Sequence, residues 1–277
     1  MPASPRKSLP AGCRACVEGE PLDIDFTMAF QPIVNPFSRE VFAYEALVRG
    51  LNGEGAGHVL AQVNDDNRYK FDQACRVTAI QLATSLGIAE RNALLSINFL
   101  PGAVYRPETC IQATLKAART CRFPTDRLMF EVTEGEQITD REHLQQIFAA
   151  YKAMGFVTAI DDFGAGYAGL NLLSDFLPDV LKVDMELTRE IHTHPVRQAI
   201  FRSIVDVCRS LGIKLIAEGI ETLEEFDFLQ ELGVRLFQGY LFARPEIEAL
   251  PEPVWPDIDG LLPADALNTL TMRVAEG

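Results

Sequence analysis

Four short segments of this chain share one layout, an apolar run of strand length closed by a carboxylate. They are Tyr44-Glu45-Ala46-Leu47, Phe130-Glu131-Val132-Thr133-Glu134, Ile160-Asp161-Asp162-Phe163-Gly164 and Ile216-Ala217-Glu218-Gly219. An apolar run of this length is buried, so a carboxylate at its far end stands at the rim of a sheet, where metals and substrates bind.

Around these segments the chain alternates between strand-like and helix-like stretches. Eight strand runs are predicted: Phe26 to Val34, Val41 to Val48, Leu94 to Leu100, Leu128 to Thr133, Val157 to Asp161, Val180 to Asp184, Lys214 to Ala217 and Leu236 to Phe242. Helical stretches fall between most of them: His58 to Leu86, long enough for two helices, Glu108 to Cys121, Asp140 to Met154, Ala168 to Asp175, Val196 to Leu211 and Leu223 to Leu232. Thr222 ahead of Glu224 and Glu225 reads as an N-cap, and Gly155, Gly212 and Gly233 fall where helices should stop. Eight strands with intervening helices predict an α/β fold, a TIM-like (β/α)8 barrel. The connection from Asn35 to Glu40 is too short for a helical crossover, so one strand is expected to run antiparallel to its neighbour. The barrel is expected over residues 23–250. A Pro-, Gly- and charge-rich arm precedes it over 1–22, and a Pro-rich, weakly helical tail that Trp255 pins to the barrel follows over 251–277.

The formal net charge of −14 argues against direct, sequence-independent nucleic-acid binding, which needs clustered Lys and Arg to neutralise phosphates. No apolar run approaches the roughly 20 residues that span a bilayer, and no signal-peptide core follows Arg6-Lys7, so the expected setting is cytoplasmic. Six scattered cysteines do not form a disulfide framework. Cys13 and Cys16 make a C-x-x-C that can hold zinc or a redox disulfide, but no second pair or suitably spaced His follows, and a short N-terminal turn with two thiols is the favoured reading. His192 and His194 read as a solvated helix end.

If the chain is a barrel, reactive groups should gather at the C-terminal ends of its strands. Glu45, Asn98 and Glu131 fall late in predicted strands, Asp161 and Asp162 end the fifth, Lys182 lies in the sixth, Glu218 follows the seventh and Gln238 lies in the eighth. A buried carboxylate is costly unless a positive group pairs with it, and one Lys serves at least five acids. Any one acid can be explained as a salt bridge or a cap; for the set, a divalent cation or two is the simplest counter-charge. Donors that are all oxygen, with no His or Cys, favour Mg²⁺ or Mn²⁺ over zinc.

At these residues the chain resembles a known family. Tyr44-Glu45-Ala46-Leu47-Val48-Arg49 is similar to the signature of the EAL domain, the bacterial phosphodiesterase domain for cyclic di-GMP. The resemblance continues through Gln31-Pro32-Ile33, Asn98, Glu131-Val132-Thr133-Glu134, Asp161-Asp162-Phe163-Gly164-Ala165-Gly166-Tyr167, Leu181-Lys182-Val183-Asp184, Ala217-Glu218-Gly219-Ile220-Glu221 and Gln238 to Pro245, in order over residues 25–247.

The resemblance implies a two-metal hydrolysis of cyclic di-GMP to linear 5′-pGpG, with two Mg²⁺ or Mn²⁺ ions per site. Glu45, Asn98, Glu131 and Asp161 would hold one metal, Asp161 and Asp162 would be shared with or directed at the second, and Glu218 would serve the second metal and the attacking water. Lys182 would hold that water or the developing charge; Glu218, Lys182 and Asp162 are thus the catalytic set. Gln31, Leu47, Arg49, Asp184, Gln238 and Pro245 are placed for substrate or site support, with Arg49 the natural phosphate fork. Glu221 looks like a partner behind the metal ligands, and Glu134 resembles the glutamate that anchors the loop after Asp162. Gly164 and Gly166 belong to that loop, which in the family couples dimer contacts to metal occupancy, so a homodimer through this face is expected. Two departures stand out: Ala165 occupies a place where Thr is common, and Gly50 to Gly57 lacks the longer aromatic-bearing form of the family, which affects contacts to guanine. The alternative is a catalytically silent EAL module that binds cyclic di-GMP or a protein partner. Such receptors usually lose metal or water residues, and here each carried-over position holds the expected side chain. An unrelated metal-dependent barrel acting on another phosphodiester would need different strand-end motifs.

Overall fold

The structure is a computed structural model and describes residues 22–133, 141–166, 173–174 and 177–256. Eight strands build a barrel: β1 Thr27–Asn35, β2 Glu40–Arg49, β3 Leu94–Asn98, β4 Leu128–Thr133, β5 Val157–Phe163, β6 Val180–Val183, β7 Lys214–Ala217 and β8 Leu236–Phe237. They pair in the order β2 to β8 and then β1, and pairing of β1 with β2 closes the ring. The ladders from β2 to β8 are all parallel. Strand β1 is antiparallel to β2 and to β8, as the short Asn35 to Glu40 connection requires.

The helices are α1 Ala56–Leu60, α2 Arg68–Ser85, α3 Pro107–Cys110, α4 Gln112–Cys121, α5 Arg141–Ala153, α6 Met185–Thr188, α7 Pro195–Leu211 and α8 Leu223–Glu231. The stretch from His58 to Leu86 is two helices, as expected. The stretch from Glu108 to Cys121 is interrupted at Ile111, so α3 and α4 are separate. Thr222 caps α8 in a reciprocal capping box with Glu225, and Gly155, Gly212 and Gly233 all take positive φ at helix ends. The arm over 1–21 with Cys13 and Cys16, the segment 134–140 with Glu134, and all of Ala168 to Asp175 except Leu173 and Ser174 lie outside the described residues. Among the described residues no helix is long and apolar enough to cross a membrane.

The interior follows the period-two alternation of strands. Ile33, Ala43, Met129, Ala159, Val180, Ile216 and Leu236, one from every strand but β3, form a closed apolar layer inside the ring. Two residues further along each parallel strand, and two residues earlier on antiparallel β1, the same face carries Gln31, Glu45, Glu131, Asp161, Lys182, Glu218 and Gln238. The apolar layer is therefore the floor beneath a ring of polar side chains.

Outside the ring, β-strand residues of opposite parity pack against the helices. Phe130 lies within 5.0–6.4 Å, ring centre to ring centre, of Tyr151, Phe156 and Phe99. Into this aromatic nest α2 inserts Arg76, fully buried, whose guanidinium lies 5.4 Å from the rings of Phe99 and Phe130. Its charge is met by Asp72 at 2.7 Å, and it donates to Tyr151 Oη at 2.8 Å. Asp72 in turn accepts the Leu100 N–H at 2.9 Å, just past the end of β3, so this buried pair ties a helix to the rim of the barrel.

Strand β8 is shorter than predicted, and the reason is Gly239. Its backbone comes so close to Ile220 that a Cβ would lie 2.1 Å from that carbonyl oxygen, and the strand stops at Phe237 instead of extending to Phe242. The edge of β1 that β8 leaves uncovered is taken by an unpredicted strand, β9 Glu246–Ile247, paired antiparallel with Ala29 and Phe30. Trp255 packs against the main core, while the tail beyond it, 257–277, lies outside the described residues.

Replacing Arg76 with Ala leaves Asp72 as an unpaired buried charge and should cost about 3–5 kcal/mol. The shift in urea midpoint measures this. The pair Arg76→Met with Asp72→Asn should recover much of the loss, whereas a double variant as unstable as Arg76→Ala alone would mean that aromatic packing, not charge, holds the nest together.

Candidate active site

The polar ring converges on one ammonium. Lys182 Nζ lies 3.3 Å from Glu45 Oε2, 3.0 Å from Glu131 Oε2, 3.0 Å from Asp161 Oδ1 and 2.8 Å from Glu218 Oε1. Lys182 is 1% exposed and Glu131 0%. Four acids around one base leave an excess of negative charge among largely buried side chains.

The protonation equilibria record that excess. Burial pushes the Glu131 carboxyl up to about 8, opposed by Lys182 and reinforced by Glu45 and Asp161. Burial first, then Asp161, holds Glu218 well above the usual carboxylate range. Asp162 is raised to about 6 by burial, then by Asp161 and Asp184. For Lys182 burial works against the charge, but Asp161, Glu131, Glu218 and Glu45 together overcome it and keep the amine charged.

Asp161 and Asp162 pose a geometric problem, because neighbouring residues of a strand point to opposite faces. The structure resolves it by breaking the strand's regularity: the β5–β6 register slips between Ile160 and Phe163, and Asp162 adopts a left-handed φ of 54°. Its N–H donates to Asp161 Oδ1 at 2.9 Å. As a result both carboxylates reach the site. Oxygens of Glu45, Glu131 and Asp161 lie within 4.8 Å of one another, and so do oxygens of Asp161, Asp162 and Glu218. Asp161 belongs to both triads.

These donors fit a hard divalent cation. All are oxygens, they carry more negative charge than Lys182 offsets, and Glu131 Oε1 is buried without any hydrogen-bond partner. Asn98 Nδ2 donates to Glu45 Oε1 at 3.0 Å, which leaves its carbonyl oxygen available beside the first triad. Gln238 Nε2 donates to Glu45 Oε2 at 2.7 Å and to Gln31 Oε1 at 3.3 Å, while Gln31 Nε2 donates to the Ala243 carbonyl at 3.2 Å. Glu45 is thus oriented from two sides by amides.

Two hollows meet at these acids. One, of about 310 Å³, is lined by Gln31, Lys182, Asp184, Met185, Glu218, Glu221, Gln238 and Tyr240; the other, of about 450 Å³, by Leu47, Val48, Leu60, Phe71, Cys75 and Leu100. Glu45, Asp161 and Asp162 line both. Leu47, Asp184 and Glu221 therefore line these hollows. Arg49 and Pro245 line neither hollow: the Arg49 guanidinium donates to the Val48 carbonyl at 2.7 Å, and Pro245 leads into β9. Gly164 takes a φ of 101° against Leu187 of α6, and Gly166 follows it in the loop.

Sequence reading missed α6 and what it does. Asp184 caps this short helix by accepting the Glu186 N–H at 2.8 Å. At its other end the fully buried Thr188 hydroxyl donates to the Glu218 carbonyl at 2.6 Å. Next to that carbonyl, Gly219 has φ 67°, and a Cβ there would lie 2.3 Å from Met185 Cβ. Arg189 pairs with Glu221 at 2.8 Å, and Glu225 accepts the N–H groups of Glu190, Glu221 and Thr222. The segment after β6 is thereby stapled to the rim that carries Glu218. Thr188 lies in no strand-end motif, and only the fold could reveal it.

Comparison with known proteins agrees with this geometry. The EAL domain family model matches residues 22–245. The blue light- and temperature-regulated antirepressor BluF of Escherichia coli is 34% identical over 229 residues, 83% of this chain and 56% of BluF. The cyclic di-GMP phosphodiesterase RocR of Pseudomonas aeruginosa is 38% identical over 122 residues, 44% of this chain and 31% of RocR. The chain thus spans about half or less of these curated relatives. A crystal structure of a standalone versatile EAL protein from Vibrio cholerae in its c-di-GMP-bound form is 54% identical, covers 84% of this chain and 97% of its own, and superposes with a TM-score of 0.81. Barrel, strand-end motifs and family match coincide on the same residues, and the chain belongs to the EAL domain family.

Proposed function

We propose that the protein is a metal-dependent phosphodiesterase that hydrolyses cyclic di-GMP to linear 5′-pGpG. The observation that carries this reading is the pair of oxygen-donor triads sharing Asp161 at the meeting point of two hollows. A ligand with two nucleotides can place one on either side, with the phosphodiester between them at the acids. The names of RocR and of the Vibrio cholerae structure, both tied to cyclic di-GMP, support the choice of substrate.

Glu45, Asn98, Glu131 and Asp161 would hold one Mg²⁺ or Mn²⁺, and Asp161, Asp162 and Glu218 a second. When bound, such ions supply Lewis acidity at the phosphodiester and lower the pKa of water. The chain's own groups do the rest. Glu218 takes the proton of the attacking water at its carboxylate; a carboxyl whose pKa burial has raised is the stronger base once ionised. Lys182, held charged by its four acids, balances the negative charge that grows on the phosphoryl oxygens. Water adds to phosphorus, the bond to one ribose 3′ oxygen breaks, and that oxygen takes up a proton. Gln31, Gln238 and Asp184 support the substrate from the polar hollow, and Leu47 from the apolar one. The proposal includes a homodimer through the face after Asp162, where Gly164, Ala165 and the exposed Met185 line one shallow hollow. A silent, regulatory reading is favoured by one observation, the 34% identity to an antirepressor.

Purified protein with cyclic di-GMP and Mn²⁺, against an EDTA control, should yield pGpG by chromatography; binding without any product would shift the reading to a receptor. Glu45→Ala and Glu218→Ala should each lower kcat by about a hundredfold or more. Parent-like turnover by both would sink the metal scheme.

Thr188→Val removes the clamp on the Glu218 carbonyl together with a longer, 3.4 Å bond to the Met185 carbonyl within α6, so kcat should fall about tenfold while KM stays close to the parent value. An equal rise in KM would show that Thr188 acts on the fold rather than on Glu218.

Cation binding must displace protons from carboxyls whose pKa values are raised, so Mn²⁺ affinity should climb as pH rises from about 6, the value of Asp162, to about 8, that of Glu131. Calorimetry across that range checks the sign; a flat profile would exclude these carboxyls as donors.

A further inference from the structure

A second cavity, of about 740 Å³, lies at the opposite mouth of the barrel, where β3, β5, β7 and β8 begin at Leu94, Val157, Lys214 and Leu236. The apolar layer of Ile33, Ala43 and Met129 separates it from the acids of the other mouth. Its charge runs against that of the chain, which has 25 Lys and Arg to 39 Asp and Glu. Here Arg39, Arg91, Arg127 and Lys214 outnumber Glu40, Asp126 and Glu252.

The cations are not all engaged. Arg91 pairs with Glu252 at 2.8 Å, and Arg127 donates to the Asn92 carbonyl at 2.5 Å. The side chains of Arg39 and Lys214 make no hydrogen bond or ion pair among the described residues. Lys214 shares the inward-facing side of β7 with Ile216 and stands below it, at the barrel floor. The wall includes Tyr44, fully buried, whose hydroxyl has no hydrogen-bond partner although the Arg91 charge lies near it. A buried phenol normally finds a partner. Phe42 and Trp255, the chain's single tryptophan, add aromatic faces to a wall otherwise made largely of aliphatic residues such as Val41, Leu94, Val157 and Leu236.

We propose that this cavity is a second ligand site and that its ligand is a nucleoside phosphate. Arg39 and Lys214 offer free positive charge to a phosphate. The Trp255 ring offers a stacking face to a base. Glu40 and Asp126 accept from the amino, imino or hydroxyl donors of base and ribose. The volume falls within the usual range for small-ligand sites. A bare metal ion is disfavoured by four cations, and a nucleic-acid strand by three carboxylates and the net charge of −14. The inference does not rest on the reaction proposed for the other mouth.

Trp255 supplies the readout. The full chain in EDTA is titrated with GMP, GTP and ATP, and in parallel with guanosine and with inorganic phosphate, while tryptophan fluorescence is followed and calorimetry repeats each titration. At least one nucleoside phosphate should give a saturable change, with guanosine and phosphate each at least about tenfold weaker, about 1.4 kcal/mol. Arg39→Ala with Lys214→Ala should weaken that binding by the same factor and leave cyclic di-GMP binding at the acidic mouth unchanged. The single variants Arg39→Gln and Lys214→Met, with melting temperatures matched to the parent, separate lost binding from lost folding. No saturable signal in fluorescence or heat up to millimolar nucleotide overturns the proposal. Phosphate binding as tightly as any nucleotide, or an Arg39/Lys214 double variant binding like the parent, overturns it as well.

Discussion

The contact on which the site depends is the Lys182 ammonium held between Glu45, Glu131, Asp161 and Glu218. Carboxylates this close repel one another strongly in a medium of low dielectric, and an ammonium among them is what allows several to stay ionised together. The four acids come from β2, β4, β5 and the end of β7, and Lys182 from β6, so one side chain links five of the eight staves of the barrel. A divalent cation entering among these oxygens must share them with that ammonium. Affinity for the cation is therefore a balance against an internal rival as well as against protons.

Much of this was legible in the sequence because the barrel imposes a simple rule. An apolar residue in the inner layer and a polar one two positions on is a pattern that a single strand displays, and Ala43/Glu45, Met129/Glu131, Ala159/Asp161 and Ile216/Glu218 all display it. What the sequence hid are features that depend on contacts between distant segments. The early end of β8 follows from Gly239 meeting Ile220, and β9 exists because that ending frees an edge of β1. Thr188 carries no local signal, since its hydroxyl matters only because Glu218, from another strand, lies above it. Arg49 shows another such feature: its place beside the signature suggests a phosphate contact, and sequence gives no sign of the bond its guanidinium donates to the neighbouring Val48 carbonyl.

Asp161 and Asp162 show how a fold defeats its own regularity for chemistry. A regular strand would send the second carboxylate among the helices. The slipped register and the left-handed Asp162 cost of order 1–3 kcal/mol in backbone strain, and they deliver two adjacent acids to one face. The loop that follows begins at that strained residue, with Gly164 set against Leu187 of α6, and α6 in turn grips the Glu218 carbonyl through Thr188. The two triads are thus joined through backbone as well as through their shared carboxylate.

The reversed first strand sets how this unit connects to whatever precedes it. In a barrel of eight parallel strands the polypeptide enters from beneath, on the face away from the chemistry. Here Thr27, the first residue of β1, pairs with Arg49, the last of β2, so the chain arrives on the reactive side. It leaves from the other: Trp255, beside the last described residue, lines the floor cavity. The described chain therefore begins at the acidic mouth and stops at the floor, so its two ends mark opposite ends of the same cylinder.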